Sequence, residues 1–395
     1  MRPVIRQGVR HYSCQSSQQS RQPTETPLSP VPDAAVVPLV VQKSSAWAAM
    51  ASVATNVVSN AAKRAVGAVP GPADLPVHPL KVVAKELSTK FLTPSIKNLV
   101  ASRTPQLDRV AKYYTQAEGK YVRPRIVLLM ARATALCPKA GPDSQSASLN
   151  PAPDAEPIPG VNPAQRRLAE ITETIHTASL LHDDFGNKMA VLGGDFLLAR
   201  ASVSLARLRH PEVIELLATV IANLVEGEFM QLRNTEAGER DPVWTEDALT
   251  YYLEKTYLKT ASLISKSCRA TAILGGADAA TVDAAYAYGK NLGLAFQLVD
   301  DMLDYTISGK DLGKPAGADL ELGLATAPLL FAWKVNPELG ALVGRKFAEE
   351  GDVARARELV IQSNGIEQTR ALAEDYANKA AAASMPSLTA RQRRA

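Results

Sequence analysis

Residues 171–184 read ITETIHTASLLHDD, and this stretch decides the fold. Ile171, Ile175, Ala178 and Leu181 recur at helical intervals and so share one face. His176 and Asp183 lie two turns apart and project from a similar side, with Ala178 and Ser179 about a turn below Asp183. The run ends on adjacent acids, Asp183 and Asp184, and passes directly into Phe185-Gly186-Asn187-Lys188. A second cluster, QLVDDMLDYT over residues 297–306, has the same apolar character but carries a third acid. Asp300 and Asp304 are four positions apart and Asp301 and Asp304 three, so all three carboxylates converge near one helix face.

Composition agrees with a helical globular chain. Hydrophobic residues make up 46% of the 395 and charged residues 21%, enough for a sizeable core. No stretch sustains period-2 alternation, and there is neither a fixed repeat nor a common Gly-rich phosphate loop. The expectation is therefore an all-α fold, one domain following a leader. A net charge of +4, spread along the chain, argues against nucleic acid as a partner. Cys14, Cys137 and Cys268 share no short spacing, which excludes a metal knuckle and a disulfide framework and suits a reducing compartment. No apolar run reaches ~18 residues, so no membrane span is predicted.

The chain divides by composition. Residues 1–30 carry Arg2, Arg6, Arg10 and Arg21 among Ser and Gln, with no acid before Glu25, and read as a mitochondrial transit peptide. A low-complexity linker is expected over 31–78, a helical domain over 79–385 and a short tail over 386–395. The domain has one clear interruption, CPKAGPDSQSASLNPAPDAEPIPGVNPAQ. Its residues 138–165 are too poor in apolar side chains to pack and are expected as a disordered surface loop.

Carboxylates stacked on one helix face repel unless cationic side chains, raised pKa values or a divalent ion neutralise them. Mg2+ takes oxygen ligands, often one or two carboxylates plus substrate phosphates. Cations stand at three places. EGKYVRPR gathers Lys120, Arg123 and Arg125 around a Pro at a helix start, where guanidinium groups and backbone N–H groups suit a phosphate. YLEKTYLKTASL sets Lys255 and Lys259 four apart, with Thr260 beside the second. SGKDLGKPAGADLELG places Lys310 and Lys314 in a Gly-rich loop. Two acid clusters and three basic segments in a helical core describe a site for polyanionic phosphates bridged by Mg2+.

In this order, GKYVRP, HTASLLHDD, FGNKMAVLGGDFLLARA, KTASLI, FQLVDDMLDYT and DLGKPAGADLELG resemble the trans-isoprenyl (polyprenyl) diphosphate synthase family from about Pro79 to Ala382. The basic leader and the loop at 138–165 resemble its fungal mitochondrial long-chain members of ubiquinone biosynthesis. The resemblance implies an isoprenoid-synthase bundle of roughly a dozen helices around a central cavity, a homodimer or a heteromer with a homologous subunit, and peripheral association with the inner membrane. It implies condensation of isopentenyl diphosphate with an allylic diphosphate, farnesyl or geranylgeranyl diphosphate. Asp183 and Asp184 match the first Mg2+ motif, and Asp300, Asp301 and Asp304 the second. Lys120, Arg123 and His176 match the isopentenyl diphosphate site; Lys259, Thr260, Gln297 and Lys314 lie near the allylic diphosphate. Ala178 and Ser179 match the chain-length positions, where short-chain members carry a large aromatic residue. Both are small here, which favours a long product. Asp195 reads as a structural or capping acid and Phe296 as core.

One segment departs from the pattern. In the family a third Asp follows the acid pair after two residues, then a short spacer and Arg-Arg-Gly. Here roughly fifteen to twenty residues are absent, up to ~25 Å of helical path. By count Asn187 stands where the third Asp would be, and Lys188 is the nearest cation. The loss removes one carboxylate and two guanidinium groups, each contact typically worth ~1.5–3 kcal/mol, so the expected chain is weakly active or inactive. The segment SMPSLTARQRRA also resembles a chain that stops before the family's last helix. Two other functions compete with long-chain synthesis: a non-catalytic partner of a catalytic homologue, and a shorter-chain synthase of the geranylgeranyl type. The intact second motif weighs against the first and the small residues at 178 and 179 against the second.

Overall fold

The computed structural model describes residues 92–105, 107–108, 121–140, 157–184, 188–236, 242–306 and 317–392, without the side chains of 183, 184, 189, 233–236 and 384–392. The expected leader and linker, Lys120, Lys310 and Lys314 lie outside the described residues. What is described is helical, with no β-strand and a single isolated bridge between Lys139 and Ala277. The helices are α1 (Leu92–Leu99), α2 (Val122–Ala135), α3 (Pro163–Asp184), α4 (Lys188–Ala206), α5 (Pro211–Glu236) and α6 (Glu246–Thr256). A π-helical turn (Tyr257–Ala261) leads into α7 (Ser262–Leu274) and α8 (Ala279–Thr306). Then come α9 (Ala318–Glu321), α10 (Ala327–Val335), α11 (Glu338–Gly344), α12 (Asp352–Gln362) and α13 (Gly365–Gln392). The last helix thus continues into the stretch expected as a tail. No helix among the described residues is long and apolar enough to cross a membrane.

The start of α3 corrects the expected loop boundary. The Gln165 N–H donates to Asn162 Oδ1 (2.8 Å), and the Asn162 N–H donates to Gln165 Oε1 (3.0 Å). This reciprocal cap satisfies two backbone donors at once and starts the helix at Pro163, inside the stretch expected to be disordered through residue 165. From there the sequence face becomes a buried face. Leu168, Ile171, Ile175 and Leu181 are all essentially inaccessible, each worth ~1.5–3 kcal/mol on burial. They pack with Leu128 of α2, Leu197 of α4, Leu217 of α5 and Leu274 of α7.

A second apolar cluster forms around the end of α8. Leu298, Val299 and Leu303 meet Tyr252 of α6, Leu329 of α10 and Val360 of α12. Between the two clusters, α7 and α8 lie unusually close. A Cβ at Gly293 would stand 2.6 Å from the Ala261 Cα, and one at Gly289 2.7 Å from the Ser265 Cα. Only hydrogen at these positions lets the π-turn and α7 seat against α8, and Thr260 then reaches Gln297, with the acids two to three turns beyond Gly293.

Candidate functional site

Arg123 sits in the first turn of α2, where Pro124 needs no intrahelical N–H partner. Its Nε is buried with no hydrogen-bond partner among the described residues. Burial lowers the guanidinium's pKa, while the charges of Glu173 on α3 and Asp300 on α8 oppose that shift. His176, one turn beyond Glu173, is held well below the usual imidazole range, by burial first and by Arg123 second, so it is neutral at physiological pH. Glu173 is pushed up to about 7 by burial, against the pull of Arg123. Three helices therefore bring Arg123, Glu173, His176 and Asp300 together.

The end of α8 is organised by hydrogen bonds. Asp301 is buried, and the Tyr252 hydroxyl donates to its Oδ2 (2.6 Å) while Gln297 Nε2 donates to its Oδ1 (2.8 Å). The same Gln297 nitrogen reaches Asp300 Oδ2 at 3.4 Å, and the Gln297 carbonyl accepts from Thr260 Oγ1 (2.9 Å). Asp304 accepts from the backbone N–H groups of Ala318 (3.2 Å) and Asp319 (3.3 Å), so it caps the start of α9. That leaves Asp300 as the exposed acid of the three. Lys259, on the π-turn, pairs with Glu228 and donates to Gln231 Oε1 (3.1 Å), both on α5. Gly227, beside Glu228, clears the Lys259 stem: a Cβ there would lie 2.6 Å from its Cγ.

Asp319 is a site acid that the sequence pattern did not single out, though it stands in the Gly-rich loop directly after the second acid cluster. Burial, then the charges of Asp301, Asp304 and Asp300, push its carboxyl up to about 8. Burial similarly pushes Asp301 up to about 6. Burial is the larger cause of both shifts, and the neighbouring carboxylates add to it while Lys255 partly offsets them, so a cation would ease ionisation here. Among the described residues no group of three His, Cys, Asp or Glu side chains is placed to hold a metal ion by itself. The donors here are all carboxylate oxygens, and they fit a hard divalent ion that completes its shell with water and phosphate oxygens. Glu173 and Tyr252 were also missed. Each lies three positions from a residue singled out in the sequence: Glu173 before His176 on α3, and Tyr252 before Lys255 on α6.

The chain-length positions come out differently from each other. Ala178 is fully buried in the first apolar cluster. The apolar stripe of α3 passes through position 178, which is the face the sequence pattern assigns to it. Ser179 is partly exposed, and its hydroxyl donates back to the His176 carbonyl (2.9 Å). Asp195 caps no helix; its carboxylate, largely exposed, lies 3.4 Å from His182 Nε2, across from the last turn of α3. Phe296 packs at the edge of the second apolar cluster, as core.

The backbone of Asp183 and Asp184 completes α3, and only residues 185–187 separate it from α4. The α4 chain runs back along α3: His182 meets Asp195, and Arg200 Nε donates to the Leu99 carbonyl of α1 (2.6 Å), which packs beside the first half of α3. A tight helical hairpin thus stands where the family has a longer connection.

Comparisons with known proteins place the chain. The profile of the polyprenyl synthetase family matches residues 104–185 and 184–360, in two pieces that meet at the acid pair. A protein of Neurospora crassa, called probable hexaprenyl pyrophosphate synthase, mitochondrial, is 66% identical over 380 residues, covering 86% of this chain and 83% of the relative. Hexaprenyl pyrophosphate synthase of Saccharomyces cerevisiae, also mitochondrial, is 44% identical over 403 residues, covering 77% and 85%. The crystal structure of a polyprenyl synthase from Caulobacter crescentus, complexed with calcium and isoprenyl diphosphate, superposes with a TM-score of 0.62 at 33% identity, covering 77% of this chain and 89% of that one. The all-α fold, the order of the basic and acidic segments and these matches together establish that the chain belongs to the polyprenyl synthetase family.

Proposed function

We propose that the chain is a long-chain trans-polyprenyl diphosphate synthase of the mitochondrion. It condenses isopentenyl diphosphate with an allylic diphosphate, farnesyl or geranylgeranyl diphosphate, to build the ubiquinone side chain. The observation that carries this reading is the gathering of Arg123 and Lys255 with Asp300, Asp301, Asp304 and Asp319, with Lys259 next to Lys255, in a largely apolar helical body. A diphosphate needs cations for its own oxygens and carboxylates for its accompanying metal; few other ligands ask for both.

Asp300 and Asp304 from α8, with Asp183 and Asp184 from α3, are the residues that would hold Mg2+. Bound there, the ion supplies neutralisation of the diphosphate charge that grows as the allylic C–O bond breaks. The remaining work belongs to side chains. Arg123 offers a poorly solvated guanidinium to isopentenyl diphosphate, and neutral His176 can donate one hydrogen bond beside it. Lys120 and Lys314 are assigned to the same two diphosphates by their positions in the sequence. Lys259 exchanges Glu228 and Gln231 for the allylic diphosphate. Thr260 and Gln297 border the allylic carbon, where positive charge develops as diphosphate departs; the alkene of isopentenyl diphosphate then attacks that carbon and its proton passes to the released diphosphate. The protein contribution is chiefly electrostatic and pre-organised.

A second reading has its own observation. The family match breaks at 184–185, and α3 and α4 are joined by three residues. A chain without a third acid and a basic pair suits a partner subunit of a catalytic homologue. Either way an interface is implied. On α5, Ala218, Ala222, Val225, Phe229 and Leu232 are all exposed and recur at intervals of four and three. Leu192 and Val203 on α4 are exposed as well. We propose that this face pairs with a second prenyl synthase chain.

The experiment is a radiolabelled assay of purified protein with Mg2+, isopentenyl diphosphate and farnesyl diphosphate, alone and mixed with an active homologue. Slow elongation to a long product by the chain alone supports the first reading. Activity only in the mixture supports the second, and no product in either overturns both. Phe229→Glu should shift the sedimenting species to a monomer.

A further inference from the structure

The second acid motif contains a hydrogen-bond chain whose direction is fixed from one end. Tyr252 is 3% exposed, its ring packed into the second apolar cluster, so its hydroxyl must find its partners inside the protein. That hydroxyl donates to Asp301 Oδ2 at 2.6 Å. Asp301, 4% exposed, is acceptor-only when ionised, and its Oδ1 can be served only by a donor. The available partner is Gln297, whose amide nitrogen lies 2.8 Å away. An amide has one nitrogen and one oxygen, so turning the nitrogen to Asp301 turns the oxygen to Thr260, 2.9 Å from its Oγ1. A carbonyl oxygen accepts; the Thr260 hydroxyl must therefore donate, and its proton points away from the site.

We propose that Tyr252 is a positioning residue for prenyl transfer, acting through Asp301 and Gln297 to make Thr260 present only lone pairs to the substrate. The consequence is a division of charge along the π-turn. Lys259 shows a cation to the diphosphate. Thr260, the next residue, shows an acceptor that repels diphosphate oxygens and favours the positive charge developing on the allylic carbon. Without the Tyr252 hydroxyl, Asp301 loses one of its two donors and is free to turn. Gln297 can then reverse, offering its nitrogen to Thr260, and the threonine hydroxyl can swing its proton into the site. This inference rests on the prenyl-transfer reading, but the hydrogen-bond chain exists whether or not the protein turns over.

The test uses the full chain and Tyr252→Phe, which keeps the ring in its cluster and removes one oxygen. Methyl and side-chain amide NMR report Thr260 and Gln297 directly. Both signals are expected to move, with the melting temperature nearly unchanged. With isopentenyl and farnesyl diphosphates, kcat should fall about tenfold, the loss of roughly one hydrogen bond in the transition state, while both KM values hold within about twofold. In a Thr260→Val background the same substitution should cost nothing further, and in Thr260→Ser, which keeps the hydroxyl, the tenfold loss should return. Unmoved Thr260 and Gln297 signals, or effects of Tyr252→Phe and Thr260→Val that multiply, overturn the proposal. If the wild-type chain shows no turnover, the prenyl-transfer reading fails on that result, and the NMR comparison alone still decides whether Tyr252 sets the direction of Thr260.

Discussion

Two helices of this protein end on acids, and their surroundings could hardly differ more. At the end of α8 the acids divide the work. Asp301 anchors Gln297 and Tyr252, Asp304 caps α9, and Asp300 faces outward near Arg123. At the end of α3, Asp183 and Asp184 are followed by three residues and then by another helix. The comparison teaches that an acid motif is only as good as the chain that follows it. Asp304 is given its role by Ala318 and Asp319, fourteen and fifteen residues further along the chain. The α3 acids have no comparable length of chain before α4 begins.

The strongest way to break this comparison is to equalise the two ends. Inserting the family segment after Asp184, with its third Asp and Arg-Arg-Gly, restores up to three charge-assisted contacts of ~1.5–3 kcal/mol each. Product formation from isopentenyl and farnesyl diphosphates should rise at least about a thousandfold. An unchanged rate would mean the short hairpin is not what limits the chain. Sequencing the transcript across codons 184–185 belongs with this experiment, since a longer transcript would supply the natural segment. The complementary change degrades the complete end. Asp300→Asn removes the exposed charge and leaves the Tyr252–Asp301–Gln297 chain in place. Mn2+ affinity in the presence of a diphosphate, read by electron paramagnetic resonance, should fall about ten- to a hundredfold. An unaltered affinity would move the metal away from α8.

The sequence was legible where periodicity or a spacing rule applied. Ile171, Ile175, Ala178 and Leu181 announced α3, and the spacing of Asp300, Asp301 and Asp304 announced their shared face. It was less legible where one side chain chooses between partners. The pattern that put Ala178 a turn below Asp183 also puts it in the apolar stripe, and it is buried there. Three acids at helical spacing look equivalent, but a tyrosine 49 residues earlier in the chain makes Asp301 an internal acceptor. The boundary at Pro163 was readable in principle from Asn162 and Gln165, a capping pair hidden in a Pro-rich loop. Asp319 and Glu173 needed three dimensions, because a lone acid in a loop or on a helix becomes informative only when its neighbours are known.

A smaller effect tests how the π-turn is held to α8. Gly293→Ala would place a methyl 2.6 Å from the Ala261 Cα, a backbone atom that cannot rotate away. The two elements must separate, at a cost of about 1–3 kcal/mol in unfolding free energy by urea titration. The shift should also weaken the Thr260–Gln297 hydrogen bond, so KM for the allylic diphosphate should rise more than KM for isopentenyl diphosphate. Equal rises would uncouple the π-turn from the allylic side.

The least drastic probe is pH, because two neighbours on α3 titrate in opposite senses. Glu173 holds its proton up to about 7 when folded, above its usual range, so its contribution is fully present at low pH and is lost as pH rises from the ordinary glutamate range through 7. His176 is depressed when folded, so the unfolded chain takes up a proton that the folded chain refuses, and stability is lost as pH falls below the ordinary imidazole range. Arg123 faces both groups: it eases ionisation of Glu173 and discourages protonation of His176. Between pH 5 and 7 the two slopes offset each other in the wild-type chain, and single substitutions should separate them. Glu173→Gln should leave stability rising with pH over this window. His176→Asn should leave it falling, each by about 1–2 kcal/mol in urea melts. Parallel profiles for the two variants would mean that α2 and α3 do not hold these groups against Arg123. The isopentenyl diphosphate side would then lack the pre-organisation that the end of α8 shows.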